Sequence, residues 1–167
     1  MKIFKKKFIL RILFFIFLAT NSYAEIVNKV EFKGNERISP ETIMIFGDII
    51  IGKDYSETEI GQIIKKLYET NFFSNISVEL DNNKLIVFVK ENPIVNSIVF
   101  KGIKADKYKE KIKELLNIRE KASFVNSYVK LDINQIKSYY RALGYYFVKI
   151  NAEVENLAKN KVNIIYS

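Results

Sequence analysis

Apolar and polar positions alternate through Val30-Glu31-Phe32-Lys33 and stop at Gly34, and the pattern returns 68 residues later as Ile98-Val99-Phe100-Lys101-Gly102. Alternation puts Val30 and Phe32 on one face of a strand, and a glycine at its end allows a turn with positive φ. A second echo follows in the same order. Ile64, Leu67 and Tyr68 correspond to Ile136, Tyr139 and Tyr140, and each set runs into an aromatic pair after a break, Asn71-Phe72-Phe73 in one case and Gly144-Tyr145-Tyr146 in the other. Two features recurring in order predict two copies of one small module.

Within the first copy, Glu25 to Lys33 predicts a strand. Ser39-Pro40 predicts a helix start, with Ser39 as N-cap, Pro40 at the first helical position, and Ile38 and Ile43 spaced as a hydrophobic staple. Ser56-x-x-Glu59 predicts a capping box for a second helix, in which Ile60, Ile63, Ile64, Leu67 and Tyr68 make one apolar stripe. The helix is expected to stop near Asn71. Ile76 to Leu80 and Leu85 to Lys90 then predict a hairpin turning at Asp81-Asn82-Asn83. Leu85 to Lys90 is apolar on both faces, which suits a central strand.

Glu91-Asn92-Pro93 reads as a short, stiff joint, since proline restricts both itself and the residue before it. The second copy repeats the order with less regular punctuation. Ile94 to Lys101 predicts a strand and Ala105 to Leu116 a helix, while Arg119 to Asn126 shows no clear pattern. Val129, Ile133, Ile136, Tyr140 and Leu143 predict a long helix closed by Gly144. Tyr146 to Glu155 and Lys161 to Tyr166 predict the final hairpin.

Strand, V-x-F-x-G-N-x-x-I at Val30 to Ile38, two helices and an aromatic-led hairpin together resemble the POTRA domain. The Tyr140 to Tyr146 stretch is similar to that family's Y-x-x-x-G-Y segment. The resemblance covers roughly residues 26–167 and implies an α+β fold of two β-α-α-β-β modules, residues 25–92 and 93–167, each a three-stranded mixed sheet covered by two helices. The second copy departs from the pattern in having Ile103-Lys104 after Gly102, where the first has Asn35 after Gly34.

Ahead of the first module, Lys2, Lys5, Lys6, Lys7 and Arg11 form a basic head, Ile12 to Ala19 is continuously apolar, and Ser22-Tyr23-Ala24 offers small residues at a cleavage position. This is the layout of an export signal over residues 1–24, cut between Ala24 and Glu25, and its apolar run is too short to span a bilayer. The whole chain has 27 basic and 19 acidic residues. Five of the basic ones lie in the head, so the remainder carries 22 against 19, a net +3. Residues 25–93 carry −4 and residues 94–167 carry +7. An exported chain of this balance is not expected to bind nucleic acid.

The chain has no cysteine and no histidine. That removes disulfides, thiolate chemistry, the usual general base and the commonest zinc ligand. Glu57 and Glu59 sit where carboxylates ordinarily stabilise a helix start. No enzyme activity, metal or cofactor is expected. Lys107, Lys109, Lys111 and Lys113 form a basic patch that reads either as a solvated helix face or as a surface for an acidic partner or anionic lipid head groups.

The resemblance further implies a binding function: an exported, periplasmic region of an outer-membrane β-barrel assembly factor that receives unfolded outer-membrane protein precursors and docks accessory lipoproteins. Edge strands can accept an extended segment of another chain through their unpaired backbone groups. The candidate residues are Ile76, Ser77, Val78, Glu79 and Leu80 in the first module, and Val148, Lys149, Ile150, Asn151 and Ala152 in the second, where Lys149 is a mild argument for a blunted edge. Alternatives are the POTRA region of a two-partner secretion transporter, a stand-alone periplasmic or bitopic interaction protein, and, more remotely, an exported hydrolase using a carboxylate pair. Barrel-assembly members continue through further modules into a membrane barrel. This sequence stops at Ser167 without a series of transmembrane strands, so it is expected to be part of a longer protein.

Overall fold

The computed structural model describes residues 26–167, so the export-signal reading, including Ala24 and Glu25, lies outside the described residues. The first module runs β1 (Lys29–Lys33), α1 (Pro40–Gly47), α2 (Glu57–Glu69), β2 (Phe73–Asp81) and β3 (Lys84–Glu91). The second runs β4 (Ile94–Phe100), α3 (Asp106–Leu115), α4 (Asn126–Ala142), β5 (Ala152–Leu157) and β6 (Lys161–Tyr166). Each module holds a three-stranded mixed sheet, ordered β1-β3-β2 and β4-β6-β5. The central strand pairs in parallel with the first and antiparallel with the hairpin partner.

Local chemistry explains the first module's boundaries. The Ser39 hydroxyl accepts a hydrogen bond from the Thr42 N–H at 3.3 Å, and Pro40 occupies the first helical turn, where its missing N–H has no partner to lose. Ser56 and Glu59 complete a reciprocal capping box on α2. Asn82 and Asn83 adopt φ of 45° and 63°, the left-handed pair that a two-residue hairpin needs to match strand twist. Leu85, Ile86 and Val87 are all buried, as expected of a strand with both faces covered. Ile43, Ile63, Leu67, Phe73 and Ile76 pack in one core with Leu85 and Val87.

The second module has fewer local signals. Neither α3 nor α4 has a side-chain N-cap, and Arg119 instead closes the α3 carboxyl end by donating to the carbonyls of Lys113 and Glu114 at 2.7 and 3.1 Å. Its core gathers Val95, Ile98, Ile112, Leu116, Ile136, Val162, Ile164 and Tyr166. Gly144 takes φ +91° after α4, as the helix-closing reading requires.

One strand assignment needs correction. Tyr146 to Asn151 is not strand, and β5 begins at Ala152. Asn151 precedes β5 and exchanges both backbone hydrogen bonds with Ser167, at 2.8 and 3.0 Å.

A buried carboxylate pins each module. Glu91 is 6% exposed, and its Oε1 accepts hydrogen bonds from the backbone N–H groups of Glu36, Arg37 and Ile38 at 2.8–2.9 Å. Arg37 Nε lies 3.3 Å from the other oxygen. Burial pushes this carboxyl up, but the three N–H groups and the guanidinium outweigh it and hold the group below its ordinary 4.5. Glu59 is lowered to about 2 by its bond to Lys53 and by the capping box. Because both folded-state values are depressed, their stabilisation is complete above the ordinary 4.5 and is lost as pH falls below it, for Glu59 on the way to about 2. Thermal melts across that window should show a falling midpoint, and Glu91→Gln should flatten part of the fall.

At the joint, Asn92 donates its backbone N–H to Phe72 and its side-chain amide to the Asn71 carbonyl, at 2.7 and 2.9 Å. On the other side Phe124 N–H donates to the Pro93 carbonyl at 2.7 Å, and Asn71 Nδ2 reaches the Tyr128 hydroxyl at 3.4 Å. Both modules therefore hydrogen-bond to the three-residue connection or to each other beside it.

Candidate strand-docking edges

Four strands stand at sheet edges, β1 and β2 in one sheet and β4 and β5 in the other. They are not equally open. The β4 edge is covered by the segment that joins α3 to α4. Val95 N–H donates to the Ala122 carbonyl, Lys121 N–H donates back to Val95, and Ile98 N–H donates to Glu120 Oε1 at 2.9 Å. The patternless stretch Arg119 to Asn126 thus closes an edge. Just before β1, Val27 exchanges hydrogen bonds with Gly52 and Lys53, and β1 itself carries Lys29, Glu31 and Lys33, charges that discourage pairing.

The hairpin strands differ. In an antiparallel ladder both backbone groups of one residue face the partner, and those of the next face away. Asn151 and Ser167 exchange both bonds, so by alternation Glu153, Glu155 and Leu157 face β6 while Ala152, Val154 and Asn156 present N–H and C=O outward. Among the described residues nothing in the protein hydrogen-bonds to those outward groups. On β2 the two-residue turn closes at Asp81 and Lys84, which makes Ile76, Val78 and Leu80 the outward set. Their orientation is corroborated by Ile76, whose N–H donates to the Tyr68 hydroxyl of α2 at 3.1 Å rather than to β3. Tyr68 therefore occupies one outward position on β2, and β5 has no counterpart.

Ile76 to Leu80 all lie on the β2 edge, with Ile76 buried towards the core and Ser77 and Glu79 exposed. Of the second set, only Ala152 is within an edge strand. Asn151 forms the last ladder pair, and Val148, Lys149 and Ile150 precede it, lining a cavity of about 220 Å³ with Phe100, Lys101, Tyr140 and Tyr166. Lys149 therefore does not guard β5. The four lysines of α3 and its surroundings are mostly neutralised within their own helix. Lys109, Lys111 and Lys113 pair with Asp106, Glu114 and Glu110 at 2.8–3.3 Å, and Lys107 stands 5.0 Å from the Tyr108 ring centroid. Sequence reasoning put the second edge strand over Phe147 to Val154, which takes in Val154 but ends before Asn156, and it missed Tyr68 as an edge group because its spacing assigns it to the core stripe.

Mixed sheets of this strand order, each with two helices between the first strand and the hairpin, define a class of small repeat. Residues 93–167 match the family model for POTRA, described as "Surface antigen variable number repeat", and this module belongs to the POTRA family. The first module has the same topology. The N-terminal domain of Omp85 from the thermophilic cyanobacterium Thermosynechococcus elongatus superposes with a TM-score of 0.56 at 14% identity, over 84% of this chain and 61% of that one. POTRA1-2 of the periplasmic domain of Omp85 from Anabaena gives 0.52 at 13% identity, over 85% and 94%. By sequence the chain is similar to outer membrane protein assembly factor BamA of Neorickettsia risticii, 29% identical over 154 residues, and of Neisseria meningitidis serogroup B, 27% identical over 141. Those matches take in 86% and 83% of this chain but only 21% and 18% of the relatives, so the chain spans about a fifth of their length.

Proposed function

We propose that this POTRA pair is the periplasmic region of an outer-membrane β-barrel assembly factor and receives unfolded outer-membrane proteins by adding their extended segments to its open sheet edges. The observation that carries this reading is the outward, unsatisfied row on β5 at Ala152, Val154 and Asn156, beside a β4 edge that the fold closes. Backbone pairing is nearly indifferent to side chains, which suits a receptor for many client sequences. The similarity to BamA over most of this chain supports the assignment of the machine, and accessory assembly lipoproteins and the outer membrane are the further partners it implies. The role is binding rather than catalysis. The basic head, with its apolar run and small-residue site, supports export to the periplasm.

Proline separates this reading from a general loss of folding. Val154 N–H points away from β6, so Val154→Pro removes a docking donor without breaking an internal bond, whereas Glu155→Pro removes a ladder bond. Val154→Pro should retain a cooperative melt and lose at least about ten-fold in affinity for an unfolded outer-membrane protein segment, the equivalent of one or two backbone hydrogen bonds. Glu155→Pro should lower the melting midpoint. Unchanged binding by a folded Val154→Pro protein, with Val78→Pro also unchanged, would remove edge pairing from the account.

A further inference from the structure

On β2 the outward row is Ile76, Val78 and Leu80, and the Ile76 N–H already donates to the Tyr68 hydroxyl at 3.1 Å. Tyr68 stands in the last turn of α2, whose Ile63 and Leu67 pack into the core with Leu85 and Val87 of β3. Its side chain therefore reaches from the helix-covered face of the sheet to the free side of β2.

The base of that side chain is fixed. Leu67 beside it is fully buried, the Thr70 hydroxyl donates to the Leu67 carbonyl at 2.6 Å, and Phe72 N–H donates to the Thr70 hydroxyl at 3.1 Å. The backbone at Tyr68 is held, while its side chain, 41% exposed, has solvent to turn into. Before Ile76 the ladder with β3 loses register at Ser74, whose hydroxyl donates to the Lys90 carbonyl at 3.1 Å, and such a break ends regular pairing. The row open to another strand is thus Val78 and Leu80, between the Tyr68 phenol and the Asn82-Asn83 turn. Tyr140, the repeat counterpart of Tyr68, instead sets its ring against those of Tyr139 and Tyr145, at 5.9 and 6.0 Å.

We propose that Tyr68 is a latch on the β2 edge. It confines a docked strand to Val78 and Leu80, and it must swing aside before pairing extends to Ile76. This role rests on the strand-docking reading above, and within it Tyr68 sets how far a client pairs on the first module. The cause is competition. A client carbonyl at the Ile76 N–H replaces a bond the protein already makes, whereas at Val78 and Leu80 it replaces water.

Tyr68→Phe removes the hydroxyl, keeps the ring, and should retain a cooperative melt. Exchange of individual amides reads β2 separately from β5. Without a ligand, the Ile76 amide should exchange at least about five-fold faster in the variant. A lysine-ended peptide of alternating threonine and valine serves as the docking strand. With it, Val78 and Leu80 should gain protection in both proteins, and Ile76 should gain it only in the variant. Half-protection of Val78 should need about five-fold less peptide in the variant, the equivalent of one net backbone hydrogen bond. Equal peptide demand, with Ile76 still exchanging freely in the variant, would overturn the latch and leave docking at Val78 and Leu80 standing. No protection of Val78 and Leu80 in either protein would also overturn it, and the β5 amides in the same experiment would then show whether strand docking fails as a whole.

Discussion

Gly34→Ala should destabilise the first module by about 4 kcal/mol or more, while Gly102→Ala at the repeat-equivalent position should cost only about 1–2 kcal/mol. Both glycines sit at nearly the same φ, +83° and +81°, so the left-handed strain is shared. Their surroundings differ. A methyl group on Gly34 would lie 2.1 Å from the Val89 carbonyl oxygen, a backbone atom that cannot move aside without disturbing β3, whereas one on Gly102 meets nothing within 4 Å. The contact is close because the turn after β1 folds over β3 so that Glu36, Arg37 and Ile38 can present their N–H groups to Glu91. Urea denaturation of the two variants would show it: equal losses would mean that turn strain alone governs both sites.

The second large effect is expected at Asp132. This side chain is fully buried, yet the protein satisfies it completely. Oδ1 accepts from the Asn117 backbone and side-chain N–H groups at 2.6 and 3.0 Å, and Oδ2 accepts from Ile118 N–H at 3.1 Å and the Tyr166 hydroxyl at 3.0 Å. Burial, reinforced by the neighbouring carboxylate, pushes the Tyr166 hydroxyl far above its ordinary value and keeps it a donor. Asp132→Ala would strand these donors at about 1–3 kcal/mol for each one left buried, and a total of about 3–5 kcal/mol is expected. Asp132→Asn keeps one acceptor oxygen and should lose less. Asn117 and Ile118 lead into the segment that covers β4, so the alanine variant should also expose that edge and self-associate. Light scattering alongside the denaturation curve checks this. A destabilised but strictly monomeric variant would show that the cover survives without its pin.

The elements that local chemistry punctuates were legible in the sequence. Ser39-Pro40, Ser56 with Glu59, and Asn82-Asn83 each specify a boundary through groups only a few residues apart, and the central position of β3 follows from its two apolar faces. What depends on contacts across the chain was not. Glu91 acts on residues more than fifty positions upstream, and Arg119 to Asn126 has no periodicity because its role is to hydrogen-bond to another strand's edge. The last hairpin was legible in part: alternation marks Tyr146 to Glu155, and β5 runs from Ala152 to Leu157. The candidate site shifted accordingly, from Val148–Ala152 to the outward groups of Ala152, Val154 and Asn156.

Amide hydrogen exchange at those three positions tests strand docking most directly. With an unfolded outer-membrane protein segment added, the amides of Ala152, Val154 and Asn156 should gain protection, while those of Glu153 and Glu155, already in the ladder, change little. Protection that instead appears on helix surfaces, with the three β5 amides still exchanging freely and Val78 and Leu80 unaffected, would contradict strand addition as the way this pair holds its clients.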